Sequence, residues 1–122
     1  MSEAATLADI RLALGRVPDL RLFRNNTGSL KDHTGRVVSF GLFKGSSDLI
    51  GFRSIAVTPE MVGQRLAVFV ALEVKAPGGR HPVTDDQRRF LDAVAAAGGI
   101  AGVARDPDEA RIALGLAQAV PA

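Results

Sequence analysis

The chain has 122 residues, 47% of them hydrophobic, which fits one domain, residues 1–122, able to bury its own core. With no cysteine and two histidines it excludes a disulfide scaffold, a thiolate metal site and a histidine metal cage. Lys and Arg total 15 against 13 acids, and the formal charge of +2 does not by itself point to nucleic acid.

In chain order, Ser2 can cap a helix from about Glu3 to Gly15, with Leu7, Ile10, Leu12 and Leu14 as its apolar face and Gly15 and Pro18 ending it. Leu20 to Asn25 alternates like a strand, and "NNTGSLKDHTGR" is turn chemistry. "VVSFGLF" reads as a short strand and "DLIGFRSIAVT" as a longer one, with "GSS" as the turn before it. Thr58-Pro59-Glu60 has the cap, N1 proline and first-turn acid of a single helical turn. "RLAVFVALEVKA" is apolar on both faces, as a central strand would be. Its apolar run Leu66 to Leu72 is the longest in the chain and too short to span a membrane. Thr84-x-x-Gln87 is a capping-box signature, and Phe90, Leu91, Val94 and Ala97 supply the face of the helix that follows. Gly98-Gly99 stops it, "IAGVA" is a short buried strand, and Asp106-Pro107 opens a last helix to about Ala117. Strand, helix, strand near the end implies a parallel crossover, so the expected class is α/β with a mixed central sheet flanked by helices. The N-terminus has no basic segment followed by an apolar one, so a cytoplasmic location is expected.

Glu73 and Lys75 stand two apart on a strand and therefore share a face. A structural ion pair explains them. So does half of a metal-assisted hydrolytic site, in which the glutamate holds a divalent cation and the lysine stabilises charge on a phosphate or orients the attacking water. Asp48, after a Gly-Ser-Ser turn, can cap that turn or supply a second carboxylate from another strand. Two hard oxygen ligands, completed by water and phosphate, suit Mg²⁺ or Mn²⁺.

Asp48, then "EVK" after a strand, then Gln87 in the first turn of a helix resembles the PD-(D/E)XK nuclease superfamily. The wider wording, "EAA", "RLFRNNTG", "GSSDLIG", "ALEVKAPGGR" and "FLDAV" followed by "GG" and "AGVAR", resembles its VRR-NUC branch (virus-type replication-repair nucleases), over about Glu3 to Leu114. The small stand-alone members from phages and bacteria are the nearest in wording. The resemblance implies a restriction-endonuclease-like αβββαβ core. It implies Asp48 and Glu73 as metal ligands, the Val74 carbonyl as a third, Lys75 as the catalytic lysine and Gln87 as an accessory active-site residue. Glu3 matches an acid that the family places on its first helix, with Asp9 as a rival; a first-turn acid facing the helix dipole explains Glu3 equally. It further implies a Mg²⁺- or Mn²⁺-dependent endonuclease acting on branched, flapped or nicked DNA, and a homodimer, in a bacterial or phage-infected cell. Arg24, Asn25, Asn26, Lys44, Arg80, Arg88 and Arg89 are candidates for holding the DNA backbone, Arg24 and Arg80 foremost because both lie in loops at strand ends. The glycines of "APGGR" would let backbone N–H groups approach phosphate. The alternatives are a non-catalytic DNA-binding or assembly module on the same fold, which would have no need of paired acids beside phosphate, and a nuclease acting on RNA.

Overall fold

The computed structural model describes residues 2–78 and 81–116. Its contacts fall into two compact units, Met1–Ile55 and Ala56–Ala122, each described here by itself.

The N-terminal unit opens with helix α1, Glu3–Leu14, started by the Ser2 side chain accepting from the Ala5 N–H. Its leucines do not form one stripe. Leu7, Ile10 and Leu14 follow helical spacing, whereas Leu12 falls off that line and is 68% exposed. Strands β1 (Leu20–Arg24) and β4 (Leu49–Arg53) pair antiparallel, with Leu22 opposite Gly51. The expected strand over Asp48–Thr58 is shorter because β1 offers only five residues to pair with, plus one bond from the Ser54 N–H to the Asp19 carbonyl. At Gly51 the chains approach so closely that a Cβ would sit 1.7 Å from the Arg21 carbonyl oxygen. That oxygen is backbone and cannot move without opening the β1–β4 ladder. Gly51→Ala should therefore destabilise the protein by about 3 kcal/mol, read as a lower urea midpoint at unchanged m-value.

The segment expected to be all turn contains a strand. β2 (Gly28–Lys31) pairs antiparallel with β3 (Val37–Phe40), and only Asp32–Arg36 is turn. Gly, Ser and Lys are poor strand signals, so the pairing is supplied across the ladder. The Phe40 ring lies over Gly28, and the Ser29 and Ser39 hydroxyls meet at 3.3 Å. Asp32 closes the hairpin, its Oδ1 accepting from the Thr34 N–H, the Thr34 hydroxyl and the Arg36 N–H. The bonds from the Thr34 hydroxyl and then the Arg36 N–H hold the Asp32 carboxyl below its ordinary range.

In the C-terminal unit, Thr58-Pro59 starts the expected single turn, Pro59–Met61 in 3-10 form. Strand β5 (Val70–Val74), helix α2 (Asp85–Ala96) and strand β6 (Ile100–Ala104) make the parallel crossover, with Glu73 beside Val103. β5 is shorter than the apolar run around it because its partner β6 has only five residues. Leu91 and Val94 of α2 and Ala104 of β6 form the buried core. Helix α3 (Pro107–Ala113) packs on β6 where Gly102 leaves room, since a Cβ there would meet the Ala113 Cβ at 2.7 Å. Gly102 pairs with Leu72, whose side chain faces opposite to that of Glu73, so α2 and α3 cover opposite faces of this ladder. On the α3 side, Val70 and Val74 of β5 remain 50% and 70% exposed, where cover on both faces was expected. α3 lies over β6 alone. α3 ends at Ala113, short of the expected end near Ala117, because Leu114 caps it and Gly115 takes a positive φ of 72°.

The α/β class holds. Where one mixed central sheet was expected, the strands of the described residues pair in three two-stranded ladders, two antiparallel and one parallel. No helix among the described residues is long and apolar enough to cross a membrane.

Candidate active site

The C-terminal unit brings Glu73, Lys75 and Gln87 together. β5 presents Glu73 and Lys75 on one face, and the first turn of α2 lies across that face. The helix begins where it does because Thr84 caps it: the Thr84 hydroxyl accepts from the Gln87 N–H at 3.1 Å. Gln87 reciprocates, its Oε1 accepting from the Thr84 N–H at 3.0 Å. The same Oε1 accepts from Lys75 Nζ at 2.9 Å, and Gln87 Nε2 donates to Glu73 Oε1 at 2.7 Å. The expected cap is thus present, and the same side chain reaches both Glu73 and Lys75.

The distances show how Glu73 and Lys75 are held relative to each other. The pair stands at 3.6 Å, within reach of Coulomb attraction but too long for a hydrogen bond. Each is bonded instead to Gln87, which bridges them. The amide can do this in one direction only. Its oxygen meets two donors and its nitrogen meets a carboxylate; turned over, the nitrogen would face the ammonium and the Thr84 N–H. Lys75 is only 12% exposed and Glu73 28%, so both charges are partly withdrawn from water. Hydrogen bonds to charged groups, worth about 1.5–3 kcal/mol each, offset that burial.

The bridge leaves oxygens available. Among the described residues no hydrogen bond takes Glu73 Oε2. The Lys75 N–H donates to the Ala104 carbonyl, and the Phe69 carbonyl accepts from the Ile100 N–H. Odd-numbered residues of β5 therefore face β6, and the Val74 carbonyl points to the opposite edge. Glu73 also lines an open groove of about 470 Å³ between β5 and α2, walled by Phe69, Leu72, Gln87, Phe90 and Leu91. Among the described residues no group of three or more His, Cys, Asp and Glu could hold a metal ion by itself. One or two carboxylates, a carbonyl, water and phosphate oxygens remain a suitable set for Mg²⁺ or Mn²⁺, which keep several waters. The donor chemistry fits a hard divalent cation.

Asp48 belongs to the N-terminal unit. It stands directly before β4, exposed, with its carbonyl accepting the Asn25 N–H at 2.8 Å. Among the described residues no hydrogen bond takes up its carboxylate. Glu3, in the first turn of α1, and Asp9 are exposed in the same unit, as are Arg24 at the end of β1, Asn26 after it and Lys44 in the turn before Asp48. Arg88 is exposed on α2, next to Gln87, and Arg89 pairs with Asp86 along the helix. Arg80 lies outside the described residues, as does Gly79 of the glycine loop. Asn25, grouped with the phosphate-binding candidates on sequence, has its side chain spent inside the protein. Nothing in "RNN" distinguishes the asparagine that is used internally from its exposed neighbour.

The model of the VRR-NUC domain family matches residues 2–106 of the chain. No curated protein and no solved structure matches it. The chain belongs to the VRR-NUC family, a nuclease family of restriction-endonuclease-like fold.

Proposed function

We propose that this member of the VRR-NUC family is a divalent-metal-dependent endonuclease that hydrolyses phosphodiester bonds in branched or flapped DNA. The observation that carries the reading is the Gln87 bridge, which holds an acid and a lysine apart and in fixed directions on one half-buried strand face. A simple ion pair would need no third residue between them.

In this reading Glu73, through its unengaged oxygen, the Val74 carbonyl and Asp48 hold Mg²⁺ or Mn²⁺. When bound, such a cation would supply charge neutralisation at the phosphate and a more nucleophilic water. Lys75 places its ammonium where negative charge grows on the phosphate oxygens. Gln87 keeps that ammonium from collapsing onto the Glu73 carboxylate. Arg24, Asn26, Lys44, Arg80 and Arg88 hold the DNA backbone. Contacts of this kind position a duplex without reading its sequence, which favours selection by DNA shape. Glu3, or its rival Asp9 on the same helix, is the further acid for the site.

A homodimer is part of the proposal. The β2–β3 hairpin exposes Leu30, Val38 and Phe40 on one face, an apolar surface of the kind that marks an interface, and a two-fold dimer matches a two-armed substrate.

The test compares a labelled four-way junction, a flap, a plain duplex and a single-stranded RNA, each with Mg²⁺ and with chelator. Junction or flap cleavage is expected to exceed duplex cleavage at least about tenfold, a discrimination worth 1.4 kcal/mol, and to vanish with chelator. Binding without cleavage under all metals would favour the assembly-module reading. Cleavage of RNA alone would make the chain a ribonuclease.

A further inference from the structure

We propose that Asn25 is a positioning residue for Asp48: it clamps the 41–48 loop so that the carboxylate is delivered at a fixed place, and it contacts neither metal nor DNA. The inference rests on Asp48 being a metal ligand, as proposed above.

Asn25 follows the last residue of β1 and makes four hydrogen bonds to one loop. Its Nδ2 donates to the Ser46 hydroxyl at 2.7 Å and to the Ser47 carbonyl at 2.9 Å. Its Oδ1 accepts from the Leu42 N–H at 3.1 Å. Its backbone N–H donates to the Asp48 carbonyl at 2.8 Å. Both amide protons and the amide oxygen are therefore used, and they grip the loop at its start and at its end. The Ser46 hydroxyl passes the restraint on by donating to the Phe43 carbonyl at 2.7 Å.

The loop needs such a clamp. It turns at Gly41 and Gly45, both at positive φ, and carries no ladder of its own. The Asp48 carboxylate has no hydrogen bond among the described residues, so its direction is set by its backbone alone. A metal ligand has to be held to about 0.5 Å to be productive, and here the restraint comes from Asn25. Asparagine is the residue suited to this task. Aspartate has the same shape but no donor; it would lose both Nδ2 bonds and set an oxygen against the Ser47 carbonyl.

Mn²⁺ binding to the full chain without DNA, followed by calorimetry, tests this with Asn25→Asp and Asp48→Asn side by side. Amide hydrogen exchange at Leu42 reports the loop, and thermal unfolding reports the fold. Asn25→Asp is expected to weaken Mn²⁺ binding about tenfold, as loss of a residue that orients a ligand does, with faster exchange at Leu42. Asp48→Asn should weaken it at least as much with Leu42 exchange unchanged. If Asp48→Asn weakens Mn²⁺ binding and Asn25→Asp does not, the clamp is refuted while the metal site stands. If Asp48→Asn leaves Mn²⁺ binding unchanged, the reading of Asp48 fails and the clamp falls with it. Ser46→Ala, which keeps Asn25 and removes one of its acceptors together with the hydroxyl's bonds to Phe43, is read in the same way should Asn25→Asp not fold: a several-fold weakening with faster Leu42 exchange supports the clamp, and parental binding overturns it.

Discussion

Glu73→Gln is expected to reduce Mg²⁺-dependent DNA cleavage by about a thousandfold, the rate equivalent of the several kcal/mol that a well-held cation contributes. The substitution separates charge from packing. A glutamine at this position keeps the carbonyl oxygen that accepts from Gln87 Nε2, so the bridge to α2 has the same partner. Glu73 is 28% exposed, and an amide there is not trapped without water. The thermal midpoint should therefore stay close to that of the parent, while Mn²⁺ affinity falls. Folded Glu73→Gln protein that cleaves like the parent would remove Glu73 from the chemistry and leave the ion-pair reading in possession of the site.

Lys75→Met should behave differently. The methionine keeps most of the buried stem and loses only the ammonium, and Gln87 Oε1 still accepts from the Thr84 N–H. A cation aimed at developing phosphate charge contributes to the transition state more than to the ground state, so kcat should fall about 10²–10³-fold with little change in KM. Mn²⁺ binding should be equal to the parent's or tighter, because a positive charge 3.6 Å from the Glu73 carboxylate has been removed. The two variants thus leave opposite signatures on metal affinity and similar ones on rate. Weaker Mn²⁺ binding in Lys75→Met would mean that the lysine orders Glu73 rather than acting on phosphate.

Both expectations turn on Gln87, whose two identities on the sequence were a helix cap and an active-site residue. They coincide because a capping box sends the N3 side chain back over the start of the helix, and here the start of the helix lies across the end of β5. The cap fixes the amide's direction from behind, and the proposed mechanism would use the direction so fixed. A glutamine free to turn over would place its nitrogen against Lys75 half the time.

Regular local patterns were readable from the residues themselves. The two-residue spacing of Glu73 and Lys75 puts both on one strand face whatever surrounds the strand. Thr84-x-x-Gln87, the Gly98-Gly99 stop and Asp106-Pro107 mark helix ends through bonds to near neighbours in the chain. The order strand, helix, strand leaves a parallel crossover as the natural connection, and β5 and β6 pair so. Family membership was legible for the same reason, since it is carried by short stretches in a fixed order.

Where partners are distant, the residues alone were silent. β2 hid among turn residues because its pairing comes from Phe40 and Ser39 on the other side of the hairpin. Strand lengths were overestimated because a ladder is as long as its shorter partner, a property of two segments at once. Leu12 looked like part of an apolar face and stands in the open. The bond from Gln87 to Glu73 spans 14 residues, and the one from Asn25 to Ser46 spans 21. Sequence determined which side chains share a strand face or cap a helix, because periodicity and capping are set within a turn or a strand. Tertiary structure decided how those side chains are held, placing Gln87 between Glu73 and Lys75 and bonding the Asn25 amide to Leu42, Ser46 and Ser47, because the direction of a hydrogen bond depends on where its partner lies in space.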